Sequence, residues 1–228
     1  MTFLTLDSRA TLVSLALGIL LILLGGRLGA FFFIVMLYFL VISAIVTWIG
    51  TPYKKKRQLY EKSRGMKNVV ANSTIPLVMA IAFFVSTMFF AGLEQLIVFG
   101  FIGSVAAVAA DKFSSELGVL DGDPIMIFTF KKVRKGVSGG VTWFGLLMGI
   151  FGAFMISLSA ALLVGGFFAP GLWYLVIGIV LSGFIGTVAD SVAGYFETNG
   201  IGNKFTSNAI ASIAGALAAM AIFAILIT

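Results

Sequence analysis

The sequence predicts an all-α, polytopic membrane protein with about seven transmembrane helices and its N-terminus on the cytoplasmic side. Three observations carry that reading. Sixty per cent of the 228 residues are apolar, 11% are charged, and the mean hydropathy is +1.12. A soluble domain is about 45–50% apolar and about 25% charged, so a water-soluble fold of this size could not hide this much apolar surface. The apolar residues also fall into seven runs long enough to cross a hydrocarbon layer about 30 Å thick, which takes roughly 20 residues each. Finally, that span count gathers nearly all the basic residues on one side.

The first run, near 10–25, is short. It lacks a convincing cleavage site and leads at once into the next run, so it reads as a helix rather than a leader. The Gly25–Gly26 turn separates it from the second, near 29–50. A basic loop, 51–72, precedes the third and fourth runs, 73–91 and 93–111, which a short turn joins. A long loop, 112–140, leads to the fifth run, 141–165. The Ala169-Pro170-Gly171 turn leads to the sixth, 171–192, and a polar stretch, 193–206, to the seventh, 207–227. Residues 1–228 thus read as a single integral membrane domain without an internal repeat or a soluble domain. Gly145, Gly149 and Gly152, then Ser182 and Gly186, then Ser212 and Gly215, recur at helical spacing. Such small-residue stripes let helix backbones approach closely.

Seven spans put Arg9, the 51–72 and 112–140 loops and Lys204 on one face, and leave Arg27 on the other. Positive charge marks the cytoplasmic face, so that face holds the N-terminus and the three polar loops.

The chain contains no Cys and no His. Disulfide scaffolds, Cys/His zinc sites, Cys nucleophiles and His-based triads are therefore excluded. Polar chemistry must rest on Asp, Glu, Lys, Arg, Ser, Thr and Asn. Asp111 closes the fourth run in A-A-D-K-F-S-S-E-L-G, and on a continuing helix Ser115 shares its face, with Glu116 one step further round. Asp190 closes the sixth run, where Asp190, Gly194 and Glu197 align. Carboxylates at a membrane boundary are costly unless paired or bound to a cation. Lys112 and Glu116 could form an ordinary ion pair, and Asp190 could bond within the bundle. Two acidic clusters facing a basic loop also suit magnesium, which takes one or two carboxylates plus substrate phosphates.

The stretch K-K-V-R-K-G-V-S-G-G-V-T, 131–142, offers Lys131, Lys132, Arg134 and Lys135 with the Ser138 hydroxyl as donors. Gly136, Gly139 and Gly140 would let backbone N–H groups approach a phosphate at the start of a helix. Read alone, it is as well explained as a topology signal or an anionic-lipid contact. Lys54 to Arg57 reads as a topology signal. Asn72, Asn199, Asn203 and Asn208 lie at span edges, where they cap helices or orient a polar ligand. Together these features describe a pocket at the membrane boundary suited to phosphoryl or nucleotidyl transfer, which needs positioning and charge neutralisation more than covalent help.

The motifs resemble those of the phytyl-phosphate kinase family of integral membrane proteins, which is distantly similar to dolichol kinase and CDP-diacylglycerol synthase. The resemblance runs in order through R-G-M-K-N-V-V-A-N, A-A-D-K-F-S-S-E-L-G, K-K-V-R-K-G-V-S-G-G-V-T, G-F-I-G-T-V-A-D-S-V-A-G and N-K-F-T-S-N-A-I-A-S, over roughly residues 55–225. It implies a CTP-dependent kinase that turns an isoprenyl monophosphate (phytyl, geranylgeranyl or farnesyl phosphate) into its diphosphate with Mg²⁺. By the same resemblance, Asp111, Glu116 and Asp190 would be catalytic and hold the metal. Ser115, Lys131, Lys132, Arg134, Gly136, Ser138, Gly139, Gly140, Arg64, Asn72, Asn203 and Asn208 would bind nucleotide and phosphates. The chain departs from the family pattern at Lys112, Phe113, Val137 and Glu197.

The expected partners are CTP or another nucleoside triphosphate, the isoprenyl phosphate and membrane lipid. No nucleic acid is expected, and a homodimer is an open arrangement. A prokaryotic plasma membrane, with the site at its cytoplasmic face, is the expected location. A cytidylyltransferase making a CDP-lipid would use the same groups but release pyrophosphate. A small transporter would need charges deep within the spans. Glu94, in a short turn, is the one acid on the face opposite the basic loops. A membrane protein without catalysis would bind no nucleotide at this face.

Overall fold

The computed structural model describes residues 5–60, 65–164 and 172–227. They form α1 (Ser8–Leu24), α2 (Gly29–Trp48), the short α3 (Thr51–Lys56), α4 (Met66–Phe89), α5 (Glu94–Gly118), α6 (Trp143–Val164), α7 (Leu172–Thr198) and α8 (Lys204–Ile227). Between α5 and α6, β1 (Ile125–Met126) and β2 (Gly140–Val141) pair antiparallel, Ile125 opposite Val141. The protein is therefore all-α apart from this small hairpin. Among the described residues six helices are long and apolar enough to cross a membrane, and α1 is a shorter apolar helix.

With 17 residues, α1 is about 26 Å long. Asp7 caps it, accepting the Ala10 N–H at 2.7 Å. Gly65, just before α4, lies against the Asp7 carboxylate. At the far end of α1, Gly26 lies beside Phe84, late in α4. The two helices thus run the same length side by side, and α1 traverses the bundle despite its shortness.

The core is built round α5, where 83% of the most apolar stretch is buried. Every residue from Ile97 to Ala110 is buried, and α2, α4, α6, α7 and α8 surround it. The predicted small-residue stripes make this possible. A Cβ on Gly103 would lie 2.3 Å from that of Ala219 and 2.6 Å from the Gly215 carbonyl oxygen. One on Gly186 would lie 2.3 Å from that of Ala107. Small residues on three helices thus allow backbone contact, which lipid alone would not drive. Leu12, Leu23, Leu162 and Ile225 stay exposed on the outer faces, as lipid contacts require.

The helix ends differ from the apolar runs at the face that carries the basic loops. There α4 begins at Met66 rather than 73, and α8 at Lys204 rather than 207. At the same face α5 continues to Gly118 rather than 111, and α7 to Thr198 rather than 192. Hydropathy reports where a helix leaves the hydrocarbon, not where its hydrogen bonding stops. Asp111, Asp190, Asn72 and Asn208 therefore stand inside helices, held by the turns on either side.

Candidate functional site

The extended ends of α5 and α7 and the first turn of α8 meet the β1–β2 hairpin around a cavity of about 270 Å³. That is slightly below the ~300–1,000 Å³ typical of ligand pockets, so a compact polar group fits inside it. Asp111 from α5 and Asp190 from α7 face each other across it. The Lys204 ammonium lies between them, 3.1 and 3.3 Å from the Asp190 oxygens and 3.8 Å from Asp111 Oδ2. The Asp190 side chain is 7% exposed and that of Asp111 16%, while that of Lys204 is 46% exposed. The carboxylates are fixed in the wall, and the cation they share reaches solvent.

The hairpin closes one side. Gly136 and Gly139 have φ of +87° and +79°, a region that favours glycine. Gly139 also lies directly on α7: a Cβ there would meet the Tyr195 nitrogen at 2.6 Å. Gly194 reciprocates, since its Cβ would lie 2.5 Å from the Gly139 nitrogen. Glycine on both partners thus lets the loop backbone rest on the helix that carries Asp190. Ser138 donates to Glu197 Oε2 at 3.0 Å, which pins the loop to the end of α7. Lys135 lines the cavity, with its ammonium donating to Tyr53 Oη and the Val119 carbonyl, each at 3.0 Å.

Of the predicted site residues, Asp111, Ser115, Asp190, Gly136, Ser138, Gly139 and Gly140 line this one cavity. Glu116 does not. Five residues on from Asp111, it faces the other side of α5, where its carboxylate accepts from Lys54 at 2.7 Å, from Thr47 at 3.1 Å and from Lys112. Lys54 is fully buried and also donates to the Val46 and Thr47 carbonyls. Of the trio expected to hold a metal, Asp111 and Asp190 therefore share the cavity, and Glu116 stands apart from them. Lys54, read as a topology signal, is part of a buried ion cluster.

Lys131, Lys132 and Arg134 are exposed on the hairpin, outside the cavity lining. Lys132 pairs with Asp123 at 3.0 Å. That hydrogen bond, and then the lysine charge, hold the Asp123 carboxyl below its ordinary range. Asn203 caps α8, accepting the Phe205 and Thr206 N–H groups at 2.9 and 3.3 Å. Asn208 donates to Asn72 Oδ1 at 2.9 Å, one turn along α8 from Lys204. Arg64 lies outside the described residues.

Sequence reasoning missed Lys204; it read Lys135 as a donor and Glu197 as aligned with Asp190, but carried neither into the site. Lys204 had a signal: a lysine in the first turn of a helix opposes the helix dipole and calls for an acidic partner. Glu197 had one too, its i+7 alignment with Asp190.

The donor set can be judged against a divalent cation. Two carboxylates already share one cationic group, and the Ser115 and Ser191 hydroxyls line the same space. Magnesium keeps several waters and takes one or two protein carboxylates plus phosphate oxygens, which these residues fit. They do not form a closed protein cage: among the described residues no three acidic side chains gather as a metal site.

Residues 2–200 match the family described as Integral membrane protein DUF92. The chain is 36% identical over 225 residues to an uncharacterized membrane protein of Methanocaldococcus jannaschii, covering 96% of this chain and 86% of that one. It is 32% identical over 190 residues to Protein PGR of Arabidopsis thaliana, covering 75% of this chain and 64% of that protein. No solved structure matches it.

Proposed function

This chain belongs to the DUF92 family of integral membrane proteins, and from that premise we propose that it is a phosphotransferase working at the membrane boundary. It transfers the γ-phosphoryl group of CTP to an isoprenyl monophosphate, giving the diphosphate and CDP, with Mg²⁺ as cofactor. The basic loops support a site facing the cytoplasm, and a prokaryotic plasma membrane is the location this reading expects.

The observation that carries the reading is the pairing of Asp111 and Asp190 around one shared cation, beside a glycine-rich loop seated on α7. Phosphoryl transfer needs positioning and neutralisation of charge spread over phosphate oxygens. Asp111 and Asp190 would hold the magnesium, whose chemistry is to neutralise that charge. Lys204 and Lys135 bring ammonium groups to the same cavity, and the Ser138 hydroxyl and the backbone of Gly139 and Gly140 line its hairpin side. The acceptor phosphate is already ionised at neutral pH, so no general base is required. The absence of His from the chain is consistent with that.

The test is incubation of purified protein with phytyl monophosphate, Mg²⁺ and γ-labelled CTP, beside Asp111→Asn. Label should move into phytyl diphosphate, and the variant should lose at least about 10²–10³-fold, the weight of one charge-stabilising group. Label released as pyrophosphate, with a CDP-lipid formed, would replace the kinase with a cytidylyltransferase. No turnover by folded protein would remove the enzymatic reading.

A further inference from the structure

A second cavity, of about 160 Å³, lies between α1, α2 and α4. Its length is mostly apolar, lined by Leu17, Gly18 and Leu21 of α1 and Phe33, Met36 and Leu37 of α2, with Thr11 and Ser14 also on α1. The lining on α1 and α2 runs about 15 Å along each helix. Leu15 and Leu37 are 60% and 43% exposed, so the slot opens sideways toward lipid. At the end near the basic loops the lining becomes polar, with Ser43, Asn68, Asn72 and Ser73. Among the described residues no Asp, Glu, Lys or Arg lines it.

Two features of the polar end call for an occupant. The Ser43 hydroxyl is 3% exposed and has no hydrogen-bond partner. A buried polar group left unpaired is costly, and a ligand that meets it recovers that cost. Four residues after Asn72, Pro76 has no N–H, so the Asn72 carbonyl lacks its usual helical donor. Ser43 can donate or accept, whereas the carbonyl can only accept. The complement is a group that does both, namely a hydroxyl. An ionised phosphate or carboxylate only accepts, and among the described residues the lining offers it no cation.

An apolar cavity of about 150 Å³ holds one ring-sized molecule, so there is room for part of a single hydrocarbon chain. We propose that this slot binds a single-chain lipid alcohol, with its hydroxyl at the Ser43–Asn72 end and its tail along α1 and α2. The site is independent of the phosphotransferase reading. Its polar end nevertheless adjoins the charged cavity through Asn72, whose partner Asn208 is one turn from Lys204.

The test is native mass spectrometry of the full chain, released from detergent after exposure to hexadecanol, hexadecyl phosphate or hexadecane. Hexadecanol should be retained about tenfold more than either of the others, the weight of one neutral hydrogen bond. Ser43→Ala should remove that advantage and leave hexadecane retention unchanged. Gly18→Leu adds bulk where a Cβ would already lie 2.9 Å from the Phe33 ring, and should reduce retention of all three. Equal retention of the three compounds would overturn the proposal in favour of ordinary lipid filling the slot. So would a preference for the phosphate, or a hexadecanol advantage that survives Ser43→Ala. The readout is retention rather than turnover, so failure here leaves the phosphotransferase reading standing, and failure there leaves this one.

Discussion

Asp111 and Glu116 stand five residues apart on α5, each with a lysine partner, and their surroundings give them opposite characters. Glu116 accepts from Lys54, Lys112 and Thr47, and the Lys54 ammonium spends its other contacts on the carbonyls that end α2. That cluster ties α2 and α3 to α5, and Glu116 lines neither of the two cavities described. Asp111 shares Lys204 with Asp190, and that lysine rises from the first turn of another helix into a cavity. The side chain of Lys54 is 1% exposed and that of Lys204 46%. Residue type does not separate a structural carboxylate from one suited to a ligand. What separates them here is how far the counter-ion is exposed.

The largest effect expected from this contrast is on stability. Glu116→Gln leaves the Lys54 ammonium buried without its negative partner. Breaking a buried pair on one side costs about 3–5 kcal/mol. Thermal unfolding in detergent should fall by roughly 10 °C for a chain of this size. Any Mg²⁺ and nucleotide binding proposed for the Asp111–Asp190 cavity should be unaffected in the folded fraction. An unchanged melting temperature with lost Mg²⁺ binding would exchange the roles of the two clusters.

Lys204→Met probes the other cluster, with a smaller effect on the fold. Without the ammonium, Asp111 and Asp190 lose the cation they share, so the metal-free protein should be less stable. A divalent ion then loses that one competitor. A neighbouring charge shifts a carboxylate equilibrium by about one to three log units. Mn²⁺ binding followed by electron paramagnetic resonance should therefore tighten by about tenfold or more. The melting temperature should also rise further on adding Mg²⁺ than in the wild type. Equal affinity in both proteins would mean that Lys204 does not compete for the site, and the shared-cation argument would fail.

Much of this arrangement was legible in the sequence, for identifiable reasons. The spans follow from runs of apolar residues, and the small-residue stripes from helical spacing. Asp111 and Asp190 stood out because acids are scarce in this chain. Their partners were harder to read. Glu116 and Asp111 are neighbours in sequence, but a helix turns them to different faces, and choosing between those faces requires knowing that Lys54 folds back beneath α2. Lys204 lay beyond the apolar run that marked the last helix, so its place in the first turn was hidden. Lys131, Lys132 and Arg134 looked like phosphate donors because they precede the glycines. The two-residue pairing of β1 and β2 instead leaves them exposed on the hairpin and brings Lys135 to the cavity. Hydropathy locates spans well, whereas a site built from turns beyond the spans depends on packing that hydropathy does not encode.

The third acid–lysine pair, Asp123 with Lys132 on the hairpin, marks the exposed limit of the comparison. Its side chains are 68% and 77% exposed. The lysine hydrogen bond and charge lower the Asp123 carboxyl in the folded protein relative to the unfolded chain. The pair therefore favours folding above the ordinary carboxylate range, near pH 4, and that contribution disappears as pH falls through the lowered value. Water and salt screen an exposed pair, so what is lost is small. Asp123→Asn should leave the melting temperature at pH 7 unchanged within error, and adding salt to the wild type should change little. The same variant should abolish the low-lying carboxyl titration in an infrared or NMR experiment. A fall of several degrees at pH 7, equal to that of Glu116→Gln, would mean that burial is not what distinguishes these clusters. The assignment of Lys54 as fixed and Lys204 as exchangeable would then lose its physical basis.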